Sequence, residues 1–257
     1  MAFTSDAQQE RQRTIRQLVT EHGHVRSDVL AARFEVSLMT VHRDLDTLQS
    51  QGWLRKIRGG ATALPSVAFH GDVGQRMSAM AETKRKLARA AIDLVRPGQK
   101  VMIDDSTTCL CLAQRLGERA PLTVITNFFA VQKLLAAESG VTLIGLGGTY
   151  FAAYDAFLGL HTAQAVTAYR ADVVFMSTTA ITRGRCYHQS EETVAVKRAM
   201  MEAAIQRVLV VDHTKFTRDG VYSLASLTEF DTVIVDSGIP REEQRALREL
   251  DVRLITV

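Results

Sequence analysis

The chain has 257 residues, 46% of them hydrophobic, and its 31 Lys and Arg against 28 Asp and Glu leave a formal net charge of +3. A chain of this size and composition buries a sizeable core in one large domain or two. It lacks an apolar run of the roughly 18 residues that a membrane span needs, and its start has no signal-peptide pattern. Its three cysteines suit a reducing compartment better than a disulfide framework, so we expect a cytoplasmic protein with no membrane partner.

Two amphipathic helices are predicted before residue 37. The break at His22-Gly23-His24 separates them, and the tight turn Glu35-Val36 follows the second helix. The predicted core-facing residues of the two helices are Ile15, Leu18 and Val19, then Val29, Leu30 and Phe34.

The stretch from Val36 to Leu54 (VSLMTVHRDLDTLQSQGWL) predicts a third helix with a serine cap. Ser37 can accept a backbone N–H bond at the helix start. Apolar residues recur at i, i+4 and i+7 and face the core, namely Val41, Leu45 and Leu48. With about 100° of rotation per residue, the opposite face carries Met39, Thr40, His42 and Arg43.

That outward face has the chemistry of a DNA-binding surface. Arg43 can donate two hydrogen bonds to a guanine edge. Asp44 and Asp46 argue against an unspecific phosphate-binding surface, because a carboxylate near DNA lowers affinity. We therefore interpret the helix as one that recognises bases selectively. The alternative is an ordinary helical subdomain in which Arg43 is solvated.

A short basic ribbon is predicted after Gly52. Leu54 and Ile57 anchor it, and the pair Gly59 and Gly60 ends it in a turn. Its cations, predicted to contact DNA phosphates, are Arg55, Lys56 and Arg58. Three helices and a ribbon make a winged helix-turn-helix, which we assign to residues 1–64.

These motifs resemble the DNA-binding domain of DeoR-type bacterial transcriptional regulators. That pattern runs V-S-x-x-T-[IV]-R-R-D-L, then L, G, L, R and a closing G-G-A. The matching residues are Val36, Ser37, Thr40, Val41, Arg43, Asp44, Leu45, Leu48, Gly52, Leu54, Arg55, Gly59, Gly60 and Ala61. His42 departs from the pattern, since the family usually has the first of two arginines there. The resemblance implies a protein that binds double-stranded operator DNA.

Residues 65–81 are interpreted as a linker, because their polarity is mixed and they show no sustained period. Beyond it, in residues 82–257, apolar strand-like runs alternate with helical patterns. This alternation favours a Rossmann-like parallel α/β effector domain. The runs are Val101–Ile103, Leu122–Ile125, Val141–Ile144, Val173–Met176, Val208–Val211, Thr232–Val235 and Arg253–Val257.

Small polar residues follow nearly all of these runs, where ligands bind in such sheets. Hydroxyls and free N–H groups at a helix start suit a phosphate, so the groups could converge on one small anionic ligand. Each group alone is equally well explained as a helix cap, a turn or a solvated charge. The groups are Asp104, Asp105, Ser106, Thr107 and Thr108, then Thr126 and Asn127, Gly147 and Gly148, Ser177, Thr178 and Thr179, and Asp212 and Lys215.

The same groups resemble the effector domain of DeoR-type regulators, which is similar to ribose-5-phosphate isomerase. The matching motifs are Asp104-x-Ser106-Thr107-Thr108, Thr126-Asn127, Gly147-Gly148 with Gly159, Lys197-Arg198, and Asp212-x-x-Lys215-Phe216. The phosphate cradle that the resemblance implies consists of Ser106, Thr107 and Thr108. The residues implied to contact the sugar or order the pocket are Asp104, Asn127, Asp212 and Lys215. Ser106 replaces a glycine of the family. Lys197 is a further candidate for effector binding, with the alternative role of a helix-surface charge.

No metal, cofactor or catalytic residue is predicted. Cys186-x-His188 with His213 lacks a second ligand pair, and no dinucleotide fingerprint or nucleophile elbow is present. We expect a regulator that is not an enzyme, a repressor of a carbohydrate operon controlled by a phosphorylated sugar or related metabolite. The alternative is a sugar-phosphate isomerase-like enzyme that uses Asp104, Asp105 and Lys215. Two-fold operators further predict a homo-oligomer, a dimer or a tetramer.

Overall fold

The structure is a computed structural model that describes residues 6–63 and 73–257. The chain forms two compact units. The first contains Met1–Arg76 with Phe151–Tyr154, and the second contains Met77–Tyr150 with Asp155–Val257. Residues 1–5 and 64 of the predicted DNA-binding domain, and residues 65–72 of the predicted linker, lie outside the described residues.

A helix-turn-helix with a small antiparallel sheet makes up the described part of the first unit. Its helices are α1 (Asp6–His22), α2 (Ser27–Phe34) and α3 (Leu38–Ser50). Its strands are β1 (His24–Arg26), β2 (Leu54–Ile57) and β3 (Gly60–Ala63), and they lie in the order β1-β3-β2. The buried core residues include Ile15, Val19, Leu30, Val41, Leu45, Leu48 and Leu54. The predicted winged helix-turn-helix is confirmed.

Three details of this unit differ from the sequence prediction. His24–Arg26, part of which was interpreted as a break, pairs with β3 as a third strand. Val29 is 57% exposed, because it lies one position, about 100°, away from the buried Leu30 on α2. Ile57 is 46% exposed, because side chains alternate along a strand and it follows the buried Leu54 by three positions. Val29 and Ile57 therefore do not belong to the core.

A buried carboxylate ties α3 to α1. Asp44 is 1% exposed. It accepts hydrogen bonds from Arg11 Nε at 2.5 Å, Gln12 Nε2 at 2.8 Å and Gln8 Nε2 at 3.3 Å. Because Asp44 follows Val41 by three positions, it lies on the core-facing side of α3. The expectation that Asp44 lies near DNA and limits phosphate binding is therefore wrong.

A seven-stranded parallel sheet forms the centre of the second unit. Its strands are β4 (Lys100–Ile103), β5 (Leu122–Thr126), β6 (Val141–Gly145), β9 (Ala171–Met176), β12 (Ala204–Val211), β14 (Thr232–Val235) and β15 (Arg253–Thr256). They lie in the order β15-β14-β12-β9-β4-β5-β6, and every adjacent pair is parallel. All seven apolar runs of the sequence become strands of this sheet, which confirms the predicted parallel α/β fold.

Short helices connect the strands. In the described residues they are α4 (Val73–Ser78), α5 (Ala81–Ile92), α6 (Thr107–Ala113), α7 (Phe129–Leu135), α8 (Leu160–Val166), α9 (Glu191–Ala203) and α10 (Arg241–Glu249). Across residues 6–63 and 73–257, no helix combines the length and the apolar character needed to cross a membrane.

Within the described residues, five further strands were missed by the sequence analysis. They form a hairpin of β7 (Thr149–Phe151) with β8 (Ala156–Leu158), and an antiparallel sheet of β10 (Ala180–Thr182), β11 (Arg185–His188) and β13 (Tyr222–Ser226). Each has three to five residues, too few to show a clear two-residue period.

The strand order of the parallel sheet reverses between β4 and β9. From β4 the chain adds β5 and β6 on one side, whereas β9, β12, β14 and β15 follow on the other side. In open parallel sheets, ligands bind beyond the carboxyl ends of the strands at such a reversal. The segments that begin with Asp104, after β4, and with Ser177, after β9, therefore flank the expected ligand position.

We expect Asp44→Ala to destabilise the first unit by about 2 kcal/mol, because it leaves the mostly buried Arg11 without its carboxylate. Urea unfolding followed by the fluorescence of Trp53, the one tryptophan of the chain and a residue of this unit, measures the change. The matched control is Asp46→Ala. The side chain of Asp46 is 62% exposed, and we expect its removal to lower the free energy of unfolding by about 0.5 kcal/mol. Equal losses in the two variants would contradict the anchoring role of Asp44.

Candidate DNA-binding surface and effector site

The start of α3 is held by the predicted serine cap. Ser37 Oγ accepts a hydrogen bond from the backbone N–H of Thr40 at 3.1 Å and lies 2.9 Å from Thr40 Oγ1. The two hydroxyls that the sequence analysis assigned to DNA are thus bonded to each other. They fix the first turn of the helix, so their effect on DNA binding includes the orientation of the residues that follow.

The solvent-facing side of α3 combines apolar and cationic side chains. Leu38 is 50% exposed and Met39 is 63% exposed, Arg43 is exposed, and His42 is half-buried. Exposed apolar groups beside an arginine suit the thymine methyl groups and guanine edges of the DNA major groove. The sequence analysis did not single out Leu38, whose one signal is its position directly after the cap.

The three basic residues of the ribbon that were predicted to contact phosphates differ in their exposure. Arg55 and Arg58 are exposed, whereas Lys56 is half-buried. The Nζ of Lys56 lies 2.5 Å from Asp46 Oδ1, and its backbone N–H donates to Gln49 Oε1 at 2.6 Å. Both acceptors belong to α3, so this helix and the ribbon are held together. A DNA phosphate has to compete with Asp46 for the charge of Lys56.

In the second unit, Asp104 bridges the two strands at the reversal of the sheet. It is fully buried and directly follows β4. Its Oδ2 accepts a hydrogen bond from the backbone N–H of Ser177, after β9, at 2.8 Å. Its Oδ1 accepts from the backbone N–H of Ser106 at 3.0 Å and from Ser106 Oγ at 2.6 Å. Asp104 therefore orders both sides of the expected ligand position.

Lys197 completes this cluster from helix α9. It is 2% exposed, and its Nζ bonds Asp104 Oδ2, lies 3.2 Å from Asp105 Oδ1 and donates to the Ser177 carbonyl at 3.3 Å. Burial alone would lower the pKa of Lys197, but the carboxylates of Asp104 and Asp105 outweigh it and raise that pKa. Lys197 is thus a charged, buried residue that links α9 to the segments after β4 and β9. The alternative that it is a helix-surface charge is wrong.

The predicted phosphate cradle lies at the start of α6. Ser106 Oγ caps this helix by accepting from the backbone N–H of Cys109 at 3.1 Å, in addition to its bond with Asp104. Thr107 and Thr108 are buried, at 5% and 3% exposure. The hydroxyl of Ser106 is therefore already engaged in a capping role.

The two polar residues at the end of β5, Thr126 and Asn127, differ in whether all their side-chain polar atoms have hydrogen-bond partners. Thr126 Oγ1 accepts from the backbone N–H of Phe128 at 3.0 Å. The side chain of Asn127 donates through Nδ2 to the carbonyl of Phe157 at 2.9 Å. Its Oδ1 is buried and has no hydrogen-bond partner among the described residues. Since buried acceptors are nearly always bonded, Asn127 presents an oxygen that a ligand hydroxyl or a water would satisfy.

Two other predicted contact groups have structural roles. Thr178 Oγ1 donates to the carbonyl of Tyr187 at 2.8 Å, and the neighbouring Thr179 is 6% exposed. The hydroxyl of Thr162, on α8, donates to the carbonyl of Gly147 at 2.9 Å, and a Cβ on Gly148 would lie 2.1 Å from that hydroxyl oxygen. Gly148 is therefore required for close packing of α8, whereas a Cβ on Gly147 would meet no atom within 4 Å.

Asp212 and Lys215 lie together after β12. Asp212 is 1% exposed and its Oδ1 accepts from the backbone N–H and the hydroxyl of Thr214. The Nζ of Lys215 lies 3.6 Å from Asp212 Oδ2. Burial by itself would raise the pKa of Asp212, but the charge of Lys215, the bonds from Thr214 and the charge of Lys84 hold it below its usual value. The pair thus carries opposite charges at the ligand edge of the sheet.

Sequence analysis missed Lys84 and the pairing of His213 with Asp236 near this edge. Lys84 on α5 is 4% exposed, and its position in the run TKRKLARA gave no signal that distinguishes it from its exposed neighbours. His213 Nδ1 lies 2.7 Å from Asp236 Oδ2, and its backbone N–H donates to Asp236 Oδ1 at 2.6 Å. The position of Asp236 directly after β14 was the signal that could have found this pair.

Models of known protein families match both units of this chain. The DeoR-like helix-turn-helix domain matches residues 11–67, and the DeoR C-terminal sensor domain matches residues 79–237. The uncharacterized HTH-type transcriptional regulator YgbI of Escherichia coli K12 is 35% identical over 247 residues, 96% of each chain. The putative aga operon transcriptional repressor of Escherichia coli O157:H7 is 31% identical, covering 96% of this chain and 93% of that protein.

A third relative is more distant in sequence and equally complete in coverage. The glycerol-3-phosphate regulon repressor of Escherichia coli K12 is 28% identical, covering 96% of this chain and 98% of that protein. The solved structure of ribose 5-phosphate isomerase A from Methanocaldococcus jannaschii aligns with 54% of this chain and 55% of that chain at a TM-score of 0.40 and 17% identity. That structural likeness is too weak to bear on activity. The matches to the two domains confirm the resemblance that the motifs indicated.

We expect Lys197→Met to destabilise the second unit by about 3–5 kcal/mol, because two buried carboxylates lose their cation. Urea unfolding followed by far-ultraviolet circular dichroism measures this loss, while Trp53 fluorescence is expected to keep its midpoint. The control is Arg198→Met, the next and less buried residue of α9, with an expected change of about 0.5 kcal/mol. A loss in Lys197→Met no larger than that in Arg198→Met would contradict the role of the buried charge.

Proposed function

The chain belongs to the DeoR family of transcriptional regulators, and on that premise we propose that a small anionic effector in its second unit controls how tightly its first unit binds an operator. The effector is a phosphorylated sugar or a related metabolite. Its binding changes operator affinity, so that the protein represses a carbohydrate operon and releases it when the metabolite accumulates.

One observation carries the DNA-binding half of the proposal. The side of α3 that faces away from the core exposes Met39 and Arg43, and Ser37 fixes the start of that helix. A capped helix with an exposed apolar and cationic face, followed by a basic ribbon, suits insertion into the major groove with phosphate contacts on either side.

The effector half rests on two groups at the carboxyl edge of the sheet. Asn127 has a buried oxygen without a hydrogen-bond partner in the described part of the chain, which suits a sugar hydroxyl. Lys215 is mostly buried and lies next to Asp212, where its charge suits an anionic group. The names of two relatives agree with this class of ligand, since one is called a putative aga operon transcriptional repressor and the other a glycerol-3-phosphate regulon repressor.

The bonding of Asp104 argues against the alternative of a sugar-phosphate isomerase-like enzyme. A general base needs an oxygen that can reach the proton to be removed. Asp104 instead accepts from the backbone and hydroxyl of Ser106, the backbone of Ser177 and the ammonium of Lys197. Its oxygens are occupied by the protein itself, so we assign Asp104 to the structure of the pocket and not to catalysis.

Assembly and cellular location follow from the same proposal. An operator with two-fold symmetry needs a regulator with two DNA-binding units, so the protein acts as a dimer or tetramer. Because its target is DNA, it acts in the bacterial cytoplasm. Sedimentation of the protein with and without operator DNA tests the assembly, and a monomer on DNA would contradict it.

The deciding experiment titrates the purified protein against DNA from its own upstream region. A panel of sugar phosphates and the corresponding free sugars is then added to the complex. We expect one phosphorylated compound to release the DNA and its free sugar to leave the complex intact. Binding that no compound alters would remove the effector half of the proposal, and absence of binding to any DNA would remove both halves.

Arg43→Ala is expected to cost about 1–3 kcal/mol of operator affinity and to relax the preference at one base pair, since Arg43 is assigned to a guanine edge. Binding to a set of operators with single base-pair changes measures both effects. The control is Arg13→Ala, an exposed arginine of α1. An Arg43 variant that loses affinity equally for every sequence would reassign Arg43 to phosphate contacts.

Lys215→Met is expected to raise the effector concentration needed for release by about tenfold or more, because a charged hydrogen bond to the anion is lost. Operator affinity without effector should change little. The control is Lys100→Met, a half-exposed lysine at the amino end of β4, on the opposite edge of the sheet. An unchanged response in the Lys215 variant would move the anion site elsewhere.

A further inference from the structure

The hairpin of β7 and β8 has its tip in one compact unit and its base in the other. The tip, Phe151–Tyr154, is part of the first unit, whereas the flanking residues Tyr150 and Asp155 are part of the second unit. The tip is therefore covalently joined to the second unit at both of its ends. The proposed DNA and effector contacts use none of the tip residues.

Asn127, the proposed contact for a ligand hydroxyl, holds the base of this hairpin. Its Nδ2 donates to the carbonyl of Phe157, on β8, at 2.9 Å. Its own carbonyl accepts from the backbone N–H of Phe157 at 2.9 Å. The remaining side-chain atom, Oδ1, is the one without a hydrogen-bond partner in residues 6–63 and 73–257. A ligand that bonds Oδ1 therefore acts on the same amide group that holds β8.

Further contacts make the base of the hairpin rigid. Asp155 has φ 52°, a left-handed conformation that residues other than glycine adopt infrequently. Its carbonyl accepts from the backbone N–H of Phe129 at 2.9 Å, and its carboxylate accepts from the hydroxyl of Tyr150 at 2.6 Å. The ring centroids of Phe129, Tyr150 and Phe157 lie 5.6 to 6.0 Å apart. A change at Phe157 is therefore passed to both residues that flank the tip.

Within the first unit, the tip packs against the end of the helix assigned to the major groove. Gln51 caps the carboxyl end of α3, and Gly52 follows it with φ 76°. A Cβ on Gly52 would lie 2.6 Å from Cδ1 of Phe151, so a glycine is needed both for this turn and for the approach of the ring. The backbone N–H of Ala153 donates to the carbonyl of Gln51 at 3.5 Å. The tip thus contacts the two residues at which α3 stops.

We propose that this hairpin transmits occupancy of the effector site to α3, with Phe151 as the positioning residue at its tip. A ligand hydroxyl that donates to Asn127 Oδ1 fixes the amide that holds Phe157. Strand β8 becomes less mobile, and the rigid base carries this restraint to the tip. Phe151 then restrains the turn at Gly52, and α3 loses the freedom to adjust to the major groove. The inference rests on the proposed function, because it requires a ligand at Asn127.

The test compares the full-length wild type with Phe151→Ala and with Tyr169→Ala, a control that removes a 37% exposed aromatic side chain between α8 and β9. Operator affinity is measured by fluorescence anisotropy, without ligand and with the sugar phosphate of the panel that has the largest effect. Calorimetry measures the binding of that compound. Hydrogen exchange of residues 50–53 and 149–158 is followed in the DNA-free wild type, with and without the compound. The amides of residues 51–53 bond carbonyls of α3, so their exchange reports on the end of that helix.

We expect Phe151→Ala to change ligand-free operator affinity by less than about threefold, because the DNA-facing residues of α3 are retained. Calorimetry should still detect the compound. The compound should lower operator affinity by about tenfold in the wild type and in Tyr169→Ala, and by less than about twofold in Phe151→Ala. In the wild type it should slow exchange in both segments, because the hairpin and the end of α3 become less mobile.

Either of two results would overturn the proposal. One is a Phe151→Ala variant whose operator affinity responds to the compound as the wild type does. The other is unchanged exchange of residues 50–53 with a compound that releases the operator from the wild type. This second measurement needs no variant, so it decides the case if Phe151→Ala does not fold.

If no compound of the panel affects the wild type, the effector half of the proposed function fails, and the transmission is decided without ligand. Asn127→Ala removes the side-chain bond to Phe157, so exchange of residues 156–158 should become faster. Exchange of residues 50–53 that is also faster, by about threefold or more, supports transmission through the hairpin. Unchanged exchange of residues 50–53 in this variant overturns it.

Discussion

The carboxylate of Asp104 is the interaction on which the ligand edge of the second unit depends. It joins the carboxyl ends of β4 and β9, which are adjacent and parallel in the sheet. The strand that follows β4 lies on one side of this pair, and the strand of the sheet that follows β9 lies on the other. It also fixes Ser106 at the start of α6 and receives the ammonium of Lys197 from α9. One buried charge thus orients four elements around the reversal, and the ammonium keeps that charge compensated in a position from which water is excluded.

The first unit uses the same device on a smaller scale. Asp44 is a buried carboxylate on α3, and Arg11 and two glutamines of α1 satisfy it. The helix assigned to the major groove is thereby set at a fixed angle to α1 by polar bonds as well as by apolar packing. Directional hydrogen bonds specify one arrangement of two helices more narrowly than apolar contacts alone, which suits a surface that must match base edges.

The sequence predicts the strands of the parallel sheet better than it predicts the partners of charged residues. Strands of the parallel sheet are buried on both faces, so they form uninterrupted apolar runs that are visible without a structure. The partners of the charged residues are not local. Asp104 and Lys197 are 93 positions apart, and Arg11 and Asp44 are 33 apart. A pattern in one segment cannot show such pairings. For that reason Asp44 was placed near DNA, Lys84 was overlooked, and Lys197 was left between an effector contact and a helix-surface charge.

The pairing of Lys56 with Asp46 bears on how the protein moves along DNA. A phosphate that takes Lys56 must separate it from a carboxylate at 2.5 Å, and it meets this cost on every duplex, whatever the sequence. The preference for an operator over other sites is unaffected, because separating Lys56 from Asp46 costs the same free energy at both kinds of site. The residence time on non-operator DNA becomes shorter, however, and those sites outnumber operators by about 10⁶–10⁹ in a genome. If Lys56 contacts phosphates as proposed, the acidic residue on α3 thereby weakens binding to operator and non-operator DNA alike.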